Sequence, residues 1–239
     1  MEMLAEIVGG ITKDQGRSRV PEMQEIPYLR VANVQRGYLD LTEVKTILAS
    51  PEDMDALRLR AGDVLFTEGG DRDKLGRGWV WNDELRECIH QNHVFRARMI
   101  GLAMESKFVS FHGNTFGQEW FARTGKQTTN LASINMGVLR RFPVAIPPAT
   151  EQREIVLQVE DLLSVIDAAV KQVQASLLRA SRLRQSILKQ AFEGKLVPQD
   201  PADEPASVLL ARIRAEVSKP KSAAPTRATR RKQPAPRTP

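Results

Sequence analysis

The side chains best suited to chemistry in this 239-residue sequence are polar and basic groups gathered in a few short segments. Arginine pairs with guanine, asparagine or glutamine pairs with adenine, and lysine, serine and threonine hold phosphates. Taken singly, each such residue is more often a solvated surface group, but segment 123–130 surrounds two cations with small polar residues. These residues predict contacts with nucleic acid. The candidates are Arg30, Asn33, Gln35, Arg36, His90, Gln91, Asn92, His93, Arg96, Arg98, Arg123, Lys126, Gln127, Thr128 and Asn130.

The sequence patterns that could support catalysis or metal binding do not have the residue types and spacing of the known motifs. Gly125-Lys126 lacks the Ser or Thr and the earlier glycine of a phosphate-binding loop, and Gly69-Gly70 is a lone pair that favours a turn. No adenine-methyltransferase motif is present either. Cys88, His90 and His93 do not match a zinc-ligand spacing, so packed strand residues are the favoured interpretation. The sequence therefore predicts a protein that binds, with no catalytic centre and no metal site of its own.

Residues 1–149 are predicted to form the domain that carries these candidates. Strands alternate with short helices without a repeated strand-helix-strand unit, which favours the α+β class. Apolar alternation predicts strands at 28–34, 64–66, 79–81, 89–99, 108–111 and 138–146. Short helices are predicted at 51–59 and from 118 onward.

A long helix is predicted to follow, over residues 150–194. Pro147-Pro148 ends the preceding segment, Thr150 suits an N-cap, and Gly194 suits a C-terminal stop. A helix of this length spans roughly 65 Å and needs a second helix beside its apolar seam. The pattern leaves open a dimeric coiled coil, an intramolecular hairpin, or a spacer that separates two recognition modules. The predicted helix-pairing residues are Ile155, Val159, Leu162, Ile166, Val173, Leu177, Leu183 and Ile187.

Charge and composition separate the C-terminal end from the rest of the chain. The formal net charge is +6, yet residues 218–239 alone hold seven basic residues and no acidic ones. We predict a hinge and a short amphipathic helix over 195–217, followed by a disordered basic tail over 218–239. A single cysteine and the lack of a long apolar run predict a cytoplasmic protein that does not enter the membrane.

Several motifs then resemble the specificity subunit of type I restriction-modification systems, and together they cover residues 4–216. The resemblance rests on PYLRVANVQRGYLDL at 27–41, GDVLFT at 62–67, HQNHVFR at 90–96, PPATEQREI at 147–155 and QAFEGKLVP at 190–198. It implies a DNA target recognition domain over 1–149, followed by a conserved helix. Family members usually have two such domain–helix units, and this sequence has one, similar to the C-terminal half.

The resemblance also implies partners and a function. It implies binding of double-stranded DNA at a bipartite site, together with a DNA adenine methyltransferase subunit that uses S-adenosylmethionine and, where present, a restriction subunit. It implies either a homodimer or a complementary half-subunit. Two alternatives remain open: a non-catalytic coiled-coil adaptor for protein partners, and a truncated fragment that is inactive alone.

Overall fold

The computed structural model describes residues 1–12, 22–70, 74–101, 104–127, 132–198 and 200–218. Its elements, in chain order, are β1 (Ala5–Gly9), β2 (Gln24–Leu29), β3 (Lys45–Ala49), α1 (Pro51–Leu57), β4 (Val64–Thr67), β5 (Gly69–Gly70), β6 (Gly78–Val80), β7 (Ile89–His90), β8 (Val94–Met99), α2 (Ser106–Thr124), β9 (Lys126–Gln127), β10 (Ala132–Ser133), α3 (Met136–Arg140), α4 (Ala149–Phe192) and α5 (Ala206–Val217). This mixture confirms the predicted α+β class. The chain divides into two compact units, Met1–Ala169 and Val170–Pro239.

The main sheet of the Met1–Ala169 unit has the strand order β1-β8-β4-β6, with antiparallel neighbours. Successive side chains of a strand alternate between its two faces. Phe95 and Ala97 of β8 therefore join the largest hydrophobic cluster, in which Phe66 and Phe121 are also buried. The alternate positions of β8 are left for the two arginines of the strand.

Two smaller sheets complete this unit. One has the order β3-β2-β7 and packs against α1, whose first turn is closed by a capping box between Ser50 and Asp53. The other, β5-β10-β9, is short, with Ala132 of its central strand paired to Gly70 on one side and Gln127 on the other.

The strand predicted at 108–111 is wrong, because these residues lie inside α2. Four alternating residues cannot distinguish a buried strand from one face of a helix. Here the face continues through Gly113 and Gly117 to the buried Phe121, which is helical spacing. A Cβ atom at Gly113 would lie 2.7 Å from the ring of Phe66, so a glycine lets α2 pack closely on the main sheet.

Three other predicted strands are shorter than expected or differ in type. Residues 136–140 form α3 instead of the start of a strand, because the Asn135 side chain caps the Val138 N–H at 2.9 Å. Segment 89–99 is divided into β7 and β8 by a turn, in which the Val94 N–H donates to the Gln91 carbonyl at 2.8 Å. Strand β2 ends at Leu29.

The long helix α4 runs from Ala149 to Phe192, which confirms the predicted helix. Its first turns are buried against the Met1–Ala169 core through Gln152 and Val156. An ion pair between Lys107 of α2 and Glu160 adds a surface contact. Packing thus fixes the beginning of α4, whereas its residues from Asp161 onward are exposed.

The Val170–Pro239 unit contains the remainder of α4 and the short helix α5, which confirms the predicted C-terminal helix. An ion pair of 3.0 Å joins Arg212 of α5 to Glu204 just before it. The predicted disordered tail lies almost wholly outside the described residues. None of the described helices is both long enough and apolar enough to cross a membrane.

Candidate nucleic-acid interface

Two of the predicted binding segments line a groove of about 390 Å³ in the Met1–Ala169 unit, and a third is paired to a strand of its wall. Val31 lies in the loop after β2, and His93 lies in the β7–β8 turn. Strand β10 brings in its paired neighbour β9, which carries Lys126 and Gln127. Segments separated by many residues in sequence therefore become neighbours. The groove is lined by Val31, Glu68, Gly69, Gly70, His93, Ala132 and Ser133.

Backbone hydrogen bonds join the walls of this groove. The Glu68 N–H donates to the His93 carbonyl at 2.9 Å, and the Glu68 carbonyl accepts the Ile134 N–H at 2.8 Å. Beside them Gly69 pairs with Ser133 across the small sheet. Because its backbone is bonded on both sides, Glu68 holds the β7–β8 turn and β10 in a fixed relation.

The side chain of Glu68 also contacts the imidazole of His93. The His93 Nδ1 lies 2.5 Å from the Glu68 Oε2, and the two side chains are 54% and 27% exposed. In the described part of the chain, the Glu68 carboxylate has no other side-chain partner. Sequence reasoning missed Glu68, since a lone carboxylate before the Gly69-Gly70 pair gives no pattern.

Three predicted binding residues are buried and bond internally. Asn33 holds the 30–43 loop through hydrogen bonds to its backbone, and Arg96 donates to two carbonyls of segment 56–58. His90 donates its Nδ1–H to a backbone carbonyl at 2.7 Å, and burial lowers its pKa to about 4. With at most 2% of each residue exposed, they lack a surface that DNA could contact.

Arg98 is held elsewhere, at a second cavity of similar volume that is also lined by Arg60 and Arg153. Its Nε and Nη2 atoms each donate to a different oxygen of the Asp63 carboxylate at 2.8 Å. This bidentate hydrogen bond raises the pKa of Arg98 above its usual value. The structure therefore does not bring Arg98 together with the groove residues.

The predicted residues of the 30–36 segment help to hold their own loop. Arg30 donates to the Glu43 carbonyl at 3.1 Å, and Gln35 donates to a carbonyl three residues earlier at 2.7 Å. Arg36 donates to the Asn114 carbonyl of α2 at 2.6 Å. These contacts fix the loop against its surroundings, and the assignment of the three side chains to DNA stays a prediction.

The 123–130 segment is described only in part. Arg123 is exposed and forms an ion pair with Glu119 one turn earlier on α2, while Lys126 is exposed on β9. Gln127 pairs through its backbone with Ala132. In the β7–β8 turn, Gln91 and Asn92 are half-buried beside His93. The predicted residues that lie outside the described ranges are Thr128 and Asn130.

The predicted helix-pairing residues separate into two groups along α4. Ile155 packs against the core of the Met1–Ala169 unit, so its side chain faces that domain instead of a partner helix, and Val159 is half-buried. The other predicted positions are between 44% and 66% exposed. These exposed residues are Leu162, Ile166, Val173, Leu177, Leu183 and Ile187.

The described residues contain no group of three His, Cys, Asp or Glu side chains that could hold a metal ion. Cys88 is buried, and the burial raises the pKa of its thiol to about 12. A thiol with this pKa stays protonated at neutral pH and is therefore a poor nucleophile and metal ligand. Cys88 belongs instead to a small hydrophobic cluster with Leu29 and Trp81.

Comparison with known proteins connects this geometry to a family. No family model matches the chain. It is 29% identical over 224 residues to the specificity subunit of the type I restriction enzyme EcoKI of Escherichia coli strain K12, a match that covers 90% of this chain and 47% of that subunit. The chain spans about half the length of the curated relatives it matches.

Solved structures share the fold at low sequence identity. A chain from a structure on complex assembly of the type I R-M system matches with a TM-score of 0.59 and 22% identity, over 81% of this chain and 45% of that one. The HsdS subunit of Thermoanaerobacter tengcongensis matches with a TM-score of 0.53 and 20% identity, over 82% and 44%. The predicted resemblance is confirmed: the chain is a relative of the type I restriction enzyme specificity subunits over about half of their length.

Proposed function

We propose that this chain recognises a DNA sequence for a type I restriction-modification complex and carries no catalytic activity itself. The observation that carries the proposal is the groove between β5, β10 and the β7–β8 turn. Two segments chosen from the sequence for base- and phosphate-binding side chains contribute Val31 and His93 to its lining, and the chain is a relative of specificity subunits. Its walls are fixed by backbone bonds, which suits a surface that must discriminate between similar ligands.

The catalytic steps are assigned to partner subunits. A DNA adenine methyltransferase subunit would bind S-adenosylmethionine and methylate adenine, and a restriction subunit, when present, would cleave. This chain would select where these subunits act. The family resemblance supports the assignment, because the names of the relatives describe specificity subunits of restriction enzymes.

The exposed apolar face of α4 would supply the assembly contact. Large apolar side chains recur along it from Leu162 to Ile187 and remain open to solvent in the single chain. A second copy of the chain, or a complementary half-subunit, would cover them with an antiparallel helix. Two recognition domains would then bind a bipartite site: a symmetric one in a homodimer, and an asymmetric one with a complementary half.

Selection from a library of randomised duplexes tests this function. The full chain, purified together with the type I methyltransferase subunit of the same genome, is expected to enrich one two-part motif. The methyltransferase subunit alone is expected to enrich none. A complex that assembles but retains DNA without sequence preference would instead support the adaptor alternative, which the exposed face of α4 also fits.

A further inference from the structure

Among the described residues that line the groove, the ionisable side chains are one carboxylate, Glu68, and one imidazole, His93. Apart from Val31, the other lining residues are glycine, alanine and serine, which leave the backbone close to any bound group. A Cβ atom at Gly69 would come within 3.0 Å of the Ala132 carbonyl, so the wall is compact at this point. Glu68 and His93 are therefore the ionisable groups of the described lining that a ligand in the groove would meet.

A carboxylate in this position has an electrostatic cost if the groove faces DNA. An ionised glutamate repels the phosphate backbone and lowers affinity for every sequence equally. The same group is a hydrogen-bond acceptor only, so it favours a base edge that offers a donor and disfavours one that offers acceptors. A carboxylate therefore lowers the affinity for DNA in general but increases the discrimination between bases.

The geometry at Glu68 fits such a role. Its Oε2 atom is held by the His93 Nδ1 at 2.5 Å. Its Oε1 atom has no protein donor in the described part of the chain. At 27% exposure the side chain is partly buried and lines the groove. One fixed acceptor is thus presented to the groove.

We propose that Glu68 is a specificity-determining residue that accepts a hydrogen bond from the exocyclic amino group of a base, with His93 as its positioning residue. In the major groove, this amino group belongs to cytosine N4 or adenine N6. Guanine and thymine present acceptors at the corresponding edge, and Glu68 rejects them. The proposal rests on the proposed DNA-recognition function and adds the chemistry of one contact.

The test repeats the selection from randomised duplexes with the full chain and the methyltransferase subunit, using substitutions at Glu68. Glu68→Gln keeps the size of the side chain but replaces one acceptor with a donor. Glu68→Asp keeps the charge but withdraws the carboxylate by one methylene. Glu87→Gln is the matched control, because it makes the same chemical change outside the groove. The Glu87 carboxylate is 47% exposed and its ion pair, with Arg58, has a distance of 3.6 Å. Thermal melting of each variant checks its fold.

Both Glu68 variants are expected to lose discrimination at one base pair of the motif, where the wild type selects cytosine or adenine on one strand. A good contact of this kind contributes about 5- to 150-fold preference over the wrong base. His93→Gln is expected to weaken preference at the same base pair, since it releases the carboxylate. The other positions of the motif, and the Glu87→Gln motif, are expected to stay as in the wild type.

Two results would overturn the assignment of Glu68. In the first, the folded Glu68 variants select the wild-type motif with undiminished preference at every position. In the second, they bind all sequences more weakly or more tightly by one common factor, which would make Glu68 an electrostatic or structural residue only. Absence of any selected motif with the wild-type chain would contradict the proposed function itself, and the inference with it.

Discussion

Replacement of Gln152 by alanine is expected to destabilise the Met1–Ala169 unit, because this side chain joins the first turns of α4 to the rest of that unit. Gln152 is 1% exposed; its Oε1 accepts the Glu105 N–H at 2.8 Å, and its Nε2 donates to the Pro147 carbonyl at 2.8 Å. The substitution leaves both backbone groups without these partners, and each unpaired buried group costs about 1–3 kcal/mol. We therefore expect the free energy of unfolding to fall by about 2–6 kcal/mol, a large part of a typical domain's stability.

Urea denaturation followed by tryptophan fluorescence measures this effect, since Trp79, Trp81 and Trp120 all lie in the Met1–Ala169 unit. Gln158→Ala is the matched control on the same helix. The Gln158 side chain is exposed and donates only to Glu154 one turn earlier, so we expect a change below about 0.5 kcal/mol. A Gln152→Ala variant as stable as this control would refute the account of how α4 is anchored.

Three further predictions concern binding, assembly and pH. Lys126→Ala is expected to weaken DNA binding by the same factor for every sequence. It should also reduce the slope of log affinity against log salt concentration by about one, the loss of one phosphate contact. Anisotropy titrations that show an unchanged slope would contradict this. Replacement of Leu162, Ile166 and Leu177 by glutamate removes the apolar face of α4 and is expected to abolish assembly in sedimentation equilibrium. Assembly that survives these substitutions would place the contact elsewhere. The pKa of His90 in the folded chain, about 4, lies below its ordinary value of about 6.5, so the unfolded chain gains a proton first as the pH falls. Stability is therefore lost as the pH falls from about 6.5 to about 4, by up to about 1.4 kcal/mol per pH unit. The His90→Asn side chain keeps a hydrogen-bond donor but does not titrate. In urea titrations, its free energy of unfolding is expected to fall less steeply with decreasing pH than that of the wild type. An equal slope in both proteins would contradict the role given to His90.

Helix α4 and the fold class could be predicted because they depend on local pattern. Apolar residues of α4 recur every three or four positions, Pro147-Pro148 precede it and Gly194 follows it. This pattern is sufficient to locate a helix. The strand prediction at 108–111 failed because four residues hold too little periodicity. There α2 packs on the main sheet with Gly113 close to Phe66, a long-range arrangement that the local sequence does not reveal.

The candidate site could be predicted only as a set of segments. Of the predicted segments, 30–36 and 90–98 contribute Val31 and His93 to the groove. Burial depends on tertiary packing, so Arg96 and His90 were predicted as binding residues although they lie inside. Glu68 was missed for the converse reason. Its position follows from the pairing of Gly69 with Ser133, residues that are far apart in sequence. A long-range register of this kind leaves no local signal.

Methylome sequencing tests the central claim most directly. Cells would express this chain together with the type I methyltransferase subunit of the same genome, and matched cells would express the methyltransferase subunit alone. The proposed function predicts adenine methylation at one two-part site, present with the chain and absent without it. Methylation that is unchanged when the chain is omitted, or no methylation at a defined site when both subunits are present as a complex, would contradict it.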